Sequence, residues 1–407
     1  MDSSSIPIPP STPERVITPP AARIESVDIL RGIIMVVMAL DHARYFFHWS
    51  ALHRFNPLDL DHTSEWVFLT RWVTHFCAPI FSFLAGTGVY LSAMRGKSKS
   101  DLSWFLFSRG LWLVFLELTL LGWFGWRFSI NLTSYSFSTL WSLGASMIVL
   151  AAIIRLPVWA ITTFGLTLIL THNAFDGIKP ESWGSWSWLW SMLHVTGTIQ
   201  TASGFSLRVG YPLLPWFGVM AAGYGFGAVY RWDASVRQRW LLYAGVAATL
   251  GFVVLRLTNI YGDLTPWTHQ PRPLFTVLSF LNCTKYPPSL CFLLMTIGPG
   301  LIALSLLERP WAKRIQPFRV YGQVPFFYYM LHIPLIHALA VIVSEVCFGT
   351  SAYLFGRSAR TITPPEVGFS LPVVYLVWIL VVLAFYPACK WFAALKRRRR
   401  EAWMSYF

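Results

Sequence analysis

The sequence predicts an all-α, polytopic helical membrane protein with about ten transmembrane helices and both termini in the cytoplasm. Three observations carry that prediction. Of the 407 residues, 55% are hydrophobic and only 12% charged, with a mean hydropathy of +0.52, far more apolar than an ordinary soluble domain. The apolar residues fall in blocks of about 17 to 25, the length a helix needs to cross a hydrocarbon core of roughly 30 Å. The net charge of +14 arises from cations in short connections and in the run Lys396, Arg397, Arg398, Arg399, Arg400, where they set orientation. A soluble enzyme and a disordered chain are thereby excluded, and nucleic acid is not an expected partner.

Residues 1–24 are rich in Pro and Ser and lack the apolar core of a secretory signal, so they are expected to form a disordered cytoplasmic tail. Apolar blocks between polar punctuation then predict spans near 29–48, 66–93, 102–124, 138–155, 158–174, 211–230, 240–260, 285–307, 321–347 and 369–393. Together they make one transmembrane domain, 25–395, followed by a basic cytoplasmic tail, 396–407. Arg95, Lys97 and Lys99, Arg155, Arg231, Arg237 and Arg239, Arg309, Lys313, Arg314 and Arg319, and the terminal run all fall on one side in this scheme. Positive charge marks that side as cytoplasmic. No transporter-type internal repeat is visible.

The longest outer connection, about 175–210, carries Trp183, Trp186, Trp188 and Trp190, which suits an interfacial helix or a carbohydrate platform. Five cysteines without a CxxC, and no paired histidine spacing of the zinc type, predict neither a disulfide framework nor a metal.

A charged side chain in hydrocarbon costs from a few to more than ten kcal/mol, so each one retained there is a functional candidate. Span one holds Arg31, Asp41 and His42; span two holds Arg71 and His75; span three holds Arg109 and Glu117; span nine holds His332, His337 and Glu345. Arg31 and His42 are eleven residues apart, about three helical turns, which places them on one face with an axial separation of roughly 16 Å. A guanidinium near the cytoplasmic face can hold coenzyme A phosphates while the thioester reaches the imidazole, and Arg109 offers a second clamp. Imidazole, with an unperturbed pKa of about 6.5, suits proton transfer from a sugar hydroxyl or amine. The alternative for the pair is a snorkelling arginine and a histidine bonded to a neighbouring helix.

Asp41 points about 100° away from His42 and is expected to pair with Arg71 or His75 across helices. His75 is either a satisfied buried histidine or a catalytic one. His332 precedes Pro334 by two residues, and the proline frees a backbone carbonyl that the histidine is placed to satisfy. Lys285, in Lys285-Tyr286-Pro287-Pro288-Ser289 at the outer end of span eight, is a candidate for an acidic substrate group or a headgroup anchor.

These residues resemble a known family. Arg23-Ile24-Glu25-Ser26-Val27-Asp28-Ile29-Leu30-Arg31-Gly32, Met38-Ala39-Leu40-Asp41-His42, Thr74-His75-Phe76-Cys77-Ala78-Pro79, Phe83-Leu84-Ala85-Gly86, Thr284-Lys285-Tyr286-Pro287-Pro288-Ser289 and Phe326-Phe327-Tyr328-Tyr329-Met330-Leu331-His332 together resemble the bacterial membrane proteins grouped with the catalytic domain of heparan-α-glucosaminide N-acetyltransferase. The resemblance implies a transmembrane acetyltransferase that takes acetyl-CoA from the cytoplasm and modifies a sugar on the far side. The Arg31–His42 spacing also resembles the signature of integral-membrane acyltransferases of bacterial polysaccharides, in which His42 matches the catalytic histidine. The glucosaminide enzyme instead places its catalytic histidine just beyond the first span, where this chain has His48 and His53. The ranking is His42, then His48, then His53.

The expected activity is therefore acetyl or short-acyl transfer from acetyl-CoA to a sugar hydroxyl or amine, with a proton-coupled transporter of a small molecule as the alternative. The expected partners are the lipid bilayer of the cell membrane, acetyl-CoA and a glycan or glycolipid acceptor, with self-association left open. His42, Asp41, His48 and His75 are the catalytic candidates; Arg31 and Arg109 would bind the coenzyme, and Lys285 and His332 the substrate.

Overall fold

The computed structural model describes residues 24–356, 363–399 and 401–406; the expected N-terminal tail lies outside the described residues apart from Ile24. Each expected span coincides with a helix: α1 (Glu25–Phe47), α2 (Glu65–Met94), α3 (Lys99–Gly125), α4 (Thr139–Ile153), α5 (Val158–Phe175), α6 (Leu214–Phe226), α7 (Ala234–Thr258), α8 (Leu290–Leu307), α9 (Pro325–Phe348) and α10 (Leu371–Arg398). The protein is a polytopic all-α membrane protein. Seven of these helices, α2, α3, α5, α7, α8, α9 and α10, are long and apolar enough to cross a membrane. Helix α1 falls outside that set because it carries Asp28, Arg31, Asp41 and Arg44. Helix α4 is a shorter apolar helix, and α6 has 13 residues.

Local chemistry moves several boundaries. Ser64 caps α2 by accepting the Val67 N–H, and the helix tightens to a 3-10 turn at Thr74–Phe76 before continuing from Cys77. The last nine residues of α3, Glu117–Gly125, are π-helical, a rare winding that often accompanies functional sites. Span nine starts later than expected. A separate short helix, Pro317–Gln323, ends where Val324 turns to φ −135° and ψ 48° ahead of Pro325, consistent with the restricted conformation of a residue before proline. Helix α10 runs on through Arg398, past the expected boundary at 395, and Tyr406 bonds Ser108 of α3 at 2.7 Å.

The basic connections gather at one end. Arg319 pairs with Glu25 at 2.6 Å, Arg237 with Glu308 at 2.8 Å, Arg397 donates to Gln323 at 3.2 Å, and Lys99 donates to the Arg155 carbonyl at 3.0 Å. The opposite end carries the long connections. There a small sheet forms from β1 (Ser134–Phe137), β2 (Gly197–Gln200) and β3 (Ser206–Val209), in the order β1-β3-β2, with β3 parallel to β1 and antiparallel to β2. The tryptophan-rich stretch includes a short helix, Ser187–Leu193. Trp190 is buried and stacks on Trp183 at 4.8 Å, while Trp186 and Trp188 are exposed.

Helix α1 is the centre of the bundle, packed by Pro317–Gln323, α10, α9, α2 and α8. Its contact with Pro317–Gln323 is backbone against backbone. A Cβ on Gly32 would lie 1.8 Å from the Phe318 carbonyl oxygen, and one on Gly322 would lie 1.7 Å from that of Asp28. Such small-residue contacts let membrane helices approach closely. Gly32→Val or Gly322→Val should therefore cost at least the upper end of the about 1–3 kcal/mol typical of overpacking. The check is a lowered melting temperature in detergent, against an unchanged value for Gly177→Ala, whose Cβ would meet nothing within 4 Å.

Candidate active site

The C-terminal half of α1 faces α2 and α9, and the charges there are paired. Asp41 accepts from Arg71 at 2.5 Å and from Arg44 at 3.1 Å. The cross-helix partner of Asp41 is thus Arg71, and the i+3 residue Arg44 adds a second guanidinium that the sequence reading passed over. One carboxylate between two cations leaves a net positive environment beside His42.

His42 is buried and lies 2.7 Å from His332, its Nδ1 to the other ring's Nε2. The His332 Nδ1 is 2.8 Å from the Tyr328 carbonyl. A carbonyl only accepts, so His332 carries its proton on Nδ1 and offers a bare Nε2. His42 must then donate through Nδ1, which leaves the lone pair on its own Nε2 unshared. The chain His42–His332–Tyr328 fixes one tautomer of the base without using a carboxylate. The carbonyl that Pro334 frees is that of Met330, four residues back, so His332 satisfies a different carbonyl from the one expected.

Aromatic rings wall the imidazole. Trp126 meets His42 edge-on at 5.1 Å and Tyr329 at 6.2 Å, while His332 stacks on Tyr328 at 4.7 Å. Trp126 follows directly on the π-helical end of α3, and its N–H bonds the Leu121 carbonyl five residues back at 2.9 Å. No feature of the sequence marked it out. Lys285 is buried with its ammonium 5.3 Å from the Tyr286 ring, within electrostatic reach of both Asp41 and His42. Among the described residues it has no hydrogen-bond or ion-pair partner.

The other histidines are differently engaged. His75 is fully buried against Phe292 at 5.3 Å, and neither nitrogen has a hydrogen-bond partner. His48 caps the short helix that follows α1. Its Nδ1 accepts from the Ser50 N–H at 3.2 Å, so its neutral form presents an N–H at Nε2 rather than a lone pair. Burial and then the Arg44 charge push its pKa down to about 4. His53 faces the Trp49 and Pro364 carbonyls at 2.9 and 3.1 Å. His337 likewise faces the Gly125 and Leu354 carbonyls at 2.9 and 3.0 Å. Glu117 accepts from the Leu140 N–H at 2.9 Å and from Ser138, capping α4 from a neighbouring helix. Glu345 accepts from Ser351 at 2.7 Å.

Toward the basic end, Arg31 donates to the Leu84 carbonyl at 3.3 Å and lies 3.6 Å from Asp28. Arg109 sits over Phe105 at 5.7 Å and within electrostatic reach of Arg31. Two cations from α1 and α3 are thus held near each other. Near Arg31, a small apolar crevice with room for about one water molecule lies between α1, α2 and α8, lined by Leu30, Ile80, Leu84, Ile297 and Leu301 among others. Arg31 and His42 lie on the same uninterrupted helix, the cation toward the basic end and the imidazole toward the other.

The model of the family described as "Heparan-alpha-glucosaminide N-acetyltransferase, catalytic" matches residues 23–256, more than half of the chain. The chain belongs to this family. It is thereby a multi-pass membrane member of a transferase family named for acetyl transfer. The match takes in Arg31, Asp41, His42, Arg71, His75 and Arg109, whereas Lys285, in the connection before α8 and not within it, and His332, on α9, lie beyond it. No curated protein matches the chain.

Asp41→Ala should leave Arg71 and Arg44 facing each other without an anion. Breaking a buried pair costs about 3–5 kcal/mol, less here because Asp41 is 23% exposed. A large fall in melting temperature is expected, partly recovered when Arg71→Met is added; equal melting of Asp41→Ala and the unaltered protein would contradict the pairing.

Proposed function

We propose that the chain is a transmembrane acetyltransferase that moves an acetyl or other short acyl group from coenzyme A to a sugar hydroxyl or amine across the membrane. The basic end faces the cytoplasm of the cell membrane, with ten crossings and both termini inside, as the positive-inside rule requires. One observation supports the chemistry above all others: the His42–His332–Tyr328 chain leaves the His42 Nε2 lone pair available in a buried, aromatic-walled site. Family membership supports the reaction class.

Arg31 and Arg109 hold the coenzyme phosphates by charge-assisted hydrogen bonds. The pantetheine arm would lie along α1 toward His42, and the apolar crevice near Arg31 is too small to hold it as the helices stand. His42 is not among the residues lining that crevice, so the arm reaches the imidazole only when the seam between α1 and α2 opens. At the outer half, His42 Nε2 takes the proton of the acceptor hydroxyl or amine as the carbonyl carbon–sulfur bond breaks and the carbon–oxygen or carbon–nitrogen bond forms. The resulting imidazolium donates through Nδ1 to His332, and its proton leaves with the coenzyme thiolate. Asp41 offsets only part of the repulsion from Arg71 and Arg44, so the imidazolium is short-lived and passes its proton to the thiolate, not to the carboxylate. Lys285 offers its ammonium to an acidic group of the glycan or glycolipid acceptor.

The test is transfer of labelled acetyl from acetyl-CoA by purified protein in detergent. His42→Ala should lower the rate by about 10²- to 10⁴-fold, the usual worth of a general base, with coenzyme binding retained. Arg31→Ala should weaken coenzyme binding instead. Wild-type rates in His42→Ala would overturn the assignment of the base, and absence of coenzyme binding would favour a proton-coupled transporter using the same groups.

A further inference from the structure

We propose that His172, Asp176 and His194 form a binding site for a divalent transition-metal ion of the zinc class. The site lies at the outer end of α5, away from the inner arginines, and it runs against the sequence expectation of no metal. His172 belongs to the last turn of α5, Asp176 caps that turn four residues later, and His194 caps the helix Ser187–Leu193. One ligand atom from each of the three lies within 4.8 Å of the others.

Two observations distinguish this cluster from a polar contact. His172 is 0% exposed and neither ring nitrogen has a hydrogen-bond partner, and His194, 1% exposed, leaves its Nδ1 unpartnered. Buried polar atoms nearly always find partners, and a buried His172 imidazole without one among the described residues, within 4.8 Å of ligand atoms on His194 and Asp176, is what a metal would satisfy. The donor set is also right: two imidazoles and one carboxylate suit a borderline ion and leave a fourth position for water.

The neighbouring bonds orient the ligands as outer-shell groups do. Asp176 is held by Asn173 Nδ2 at 2.8 Å, and its 2.9 Å bond to His194 Nε2 joins two of the proposed ligands and opens to admit the ion. Asn173 in turn accepts the Leu290 N–H, the first residue of α8, at 2.8 Å. A tetrahedral ion with bonds of about 2.0–2.2 Å keeps its ligand atoms about 3.4 Å apart, so a modest turn of the His172 ring closes the set. Bound there, the ion would clip the tryptophan-rich segment, through His194 beside Trp190 at 5.2 Å, to the ends of α5 and α8. Its role is structural.

The experiment uses the full chain purified in detergent with a tag free of histidine, stripped with a chelator and titrated with zinc. The expected result is one zinc per chain and a melting temperature that falls on stripping and returns on reloading. His172→Ala and His194→Ala should each lose stoichiometric zinc, and Asn173→Ala should weaken it by about 10- to 100-fold, the usual effect of an outer-shell change. Should the histidine variants fail to fold, cobalt added to the stripped wild-type protein gives a second readout: visible bands of nitrogen-ligated cobalt are expected. No zinc uptake, no cobalt bands, or undiminished zinc in the His172→Ala/His194→Ala double variant would each overturn the proposal.

Discussion

Everything in this bundle turns on one constraint: a helix that carries Asp28, Arg31, Asp41, His42 and Arg44 has to be surrounded by other helices and kept from lipid. Facing hydrocarbon, those charges would cost far more than the helix gains by inserting. The structure meets the constraint by placing α1 at the centre and giving each charge a protein partner. Gly32 and Gly322 bring the flanking backbone into direct contact at one end, while Arg71 reaches Asp41 at the other. The lipid-facing surface is left to helices such as α7 and α10, with long rows of exposed Leu, Val and Ile.

The same crowding decides which histidine is fit to act as a base. An imidazole has two nitrogens, and its chemistry depends on which one the surroundings occupy. His332 is pinned by a carbonyl, so it accepts from His42 and leaves the far nitrogen of His42 unshared. His48 receives an N–H on the nitrogen that would otherwise be basic, and His53 spends both on carbonyls. Three histidines close in sequence therefore differ in how their nitrogens are occupied, for reasons that lie in their neighbours. The ring behind His42 is itself tied to a carbonyl, and the charge of the neighbouring Asp41 is shared between two arginines.

Much of the fold was legible because a bilayer imposes a strong filter on sequence. Apolar length located every helix from α1 to α10, and helix geometry with the rarity of intramembrane charge narrowed the partner of Asp41 to Arg71 or His75, of which the structure pairs Arg71. Other features left no such trace. Trp126 is one of 21 tryptophans, and only the π-helical turn before it aims its edge at His42. The strands β1, β2 and β3 are four residues each, too short for periodicity to reveal, and β1 pairs with β3 from Ser134 to Ser206, far along the chain. His172 and His194 sit on separate elements, so no ligand spacing connects them.

The sequence by itself determined that this chain is a helical bundle in a membrane, where its helices lie and which rare charges they keep, because hydrophobic length and the cost of burying charge are local properties of the chain. Tertiary structure alone decided which of those groups meet. Hydrogen-bond partners set the tautomer of His42, the caps on Glu117 and the convergence at His172, Asp176 and His194, and partners are chosen by packing between segments far apart in the chain.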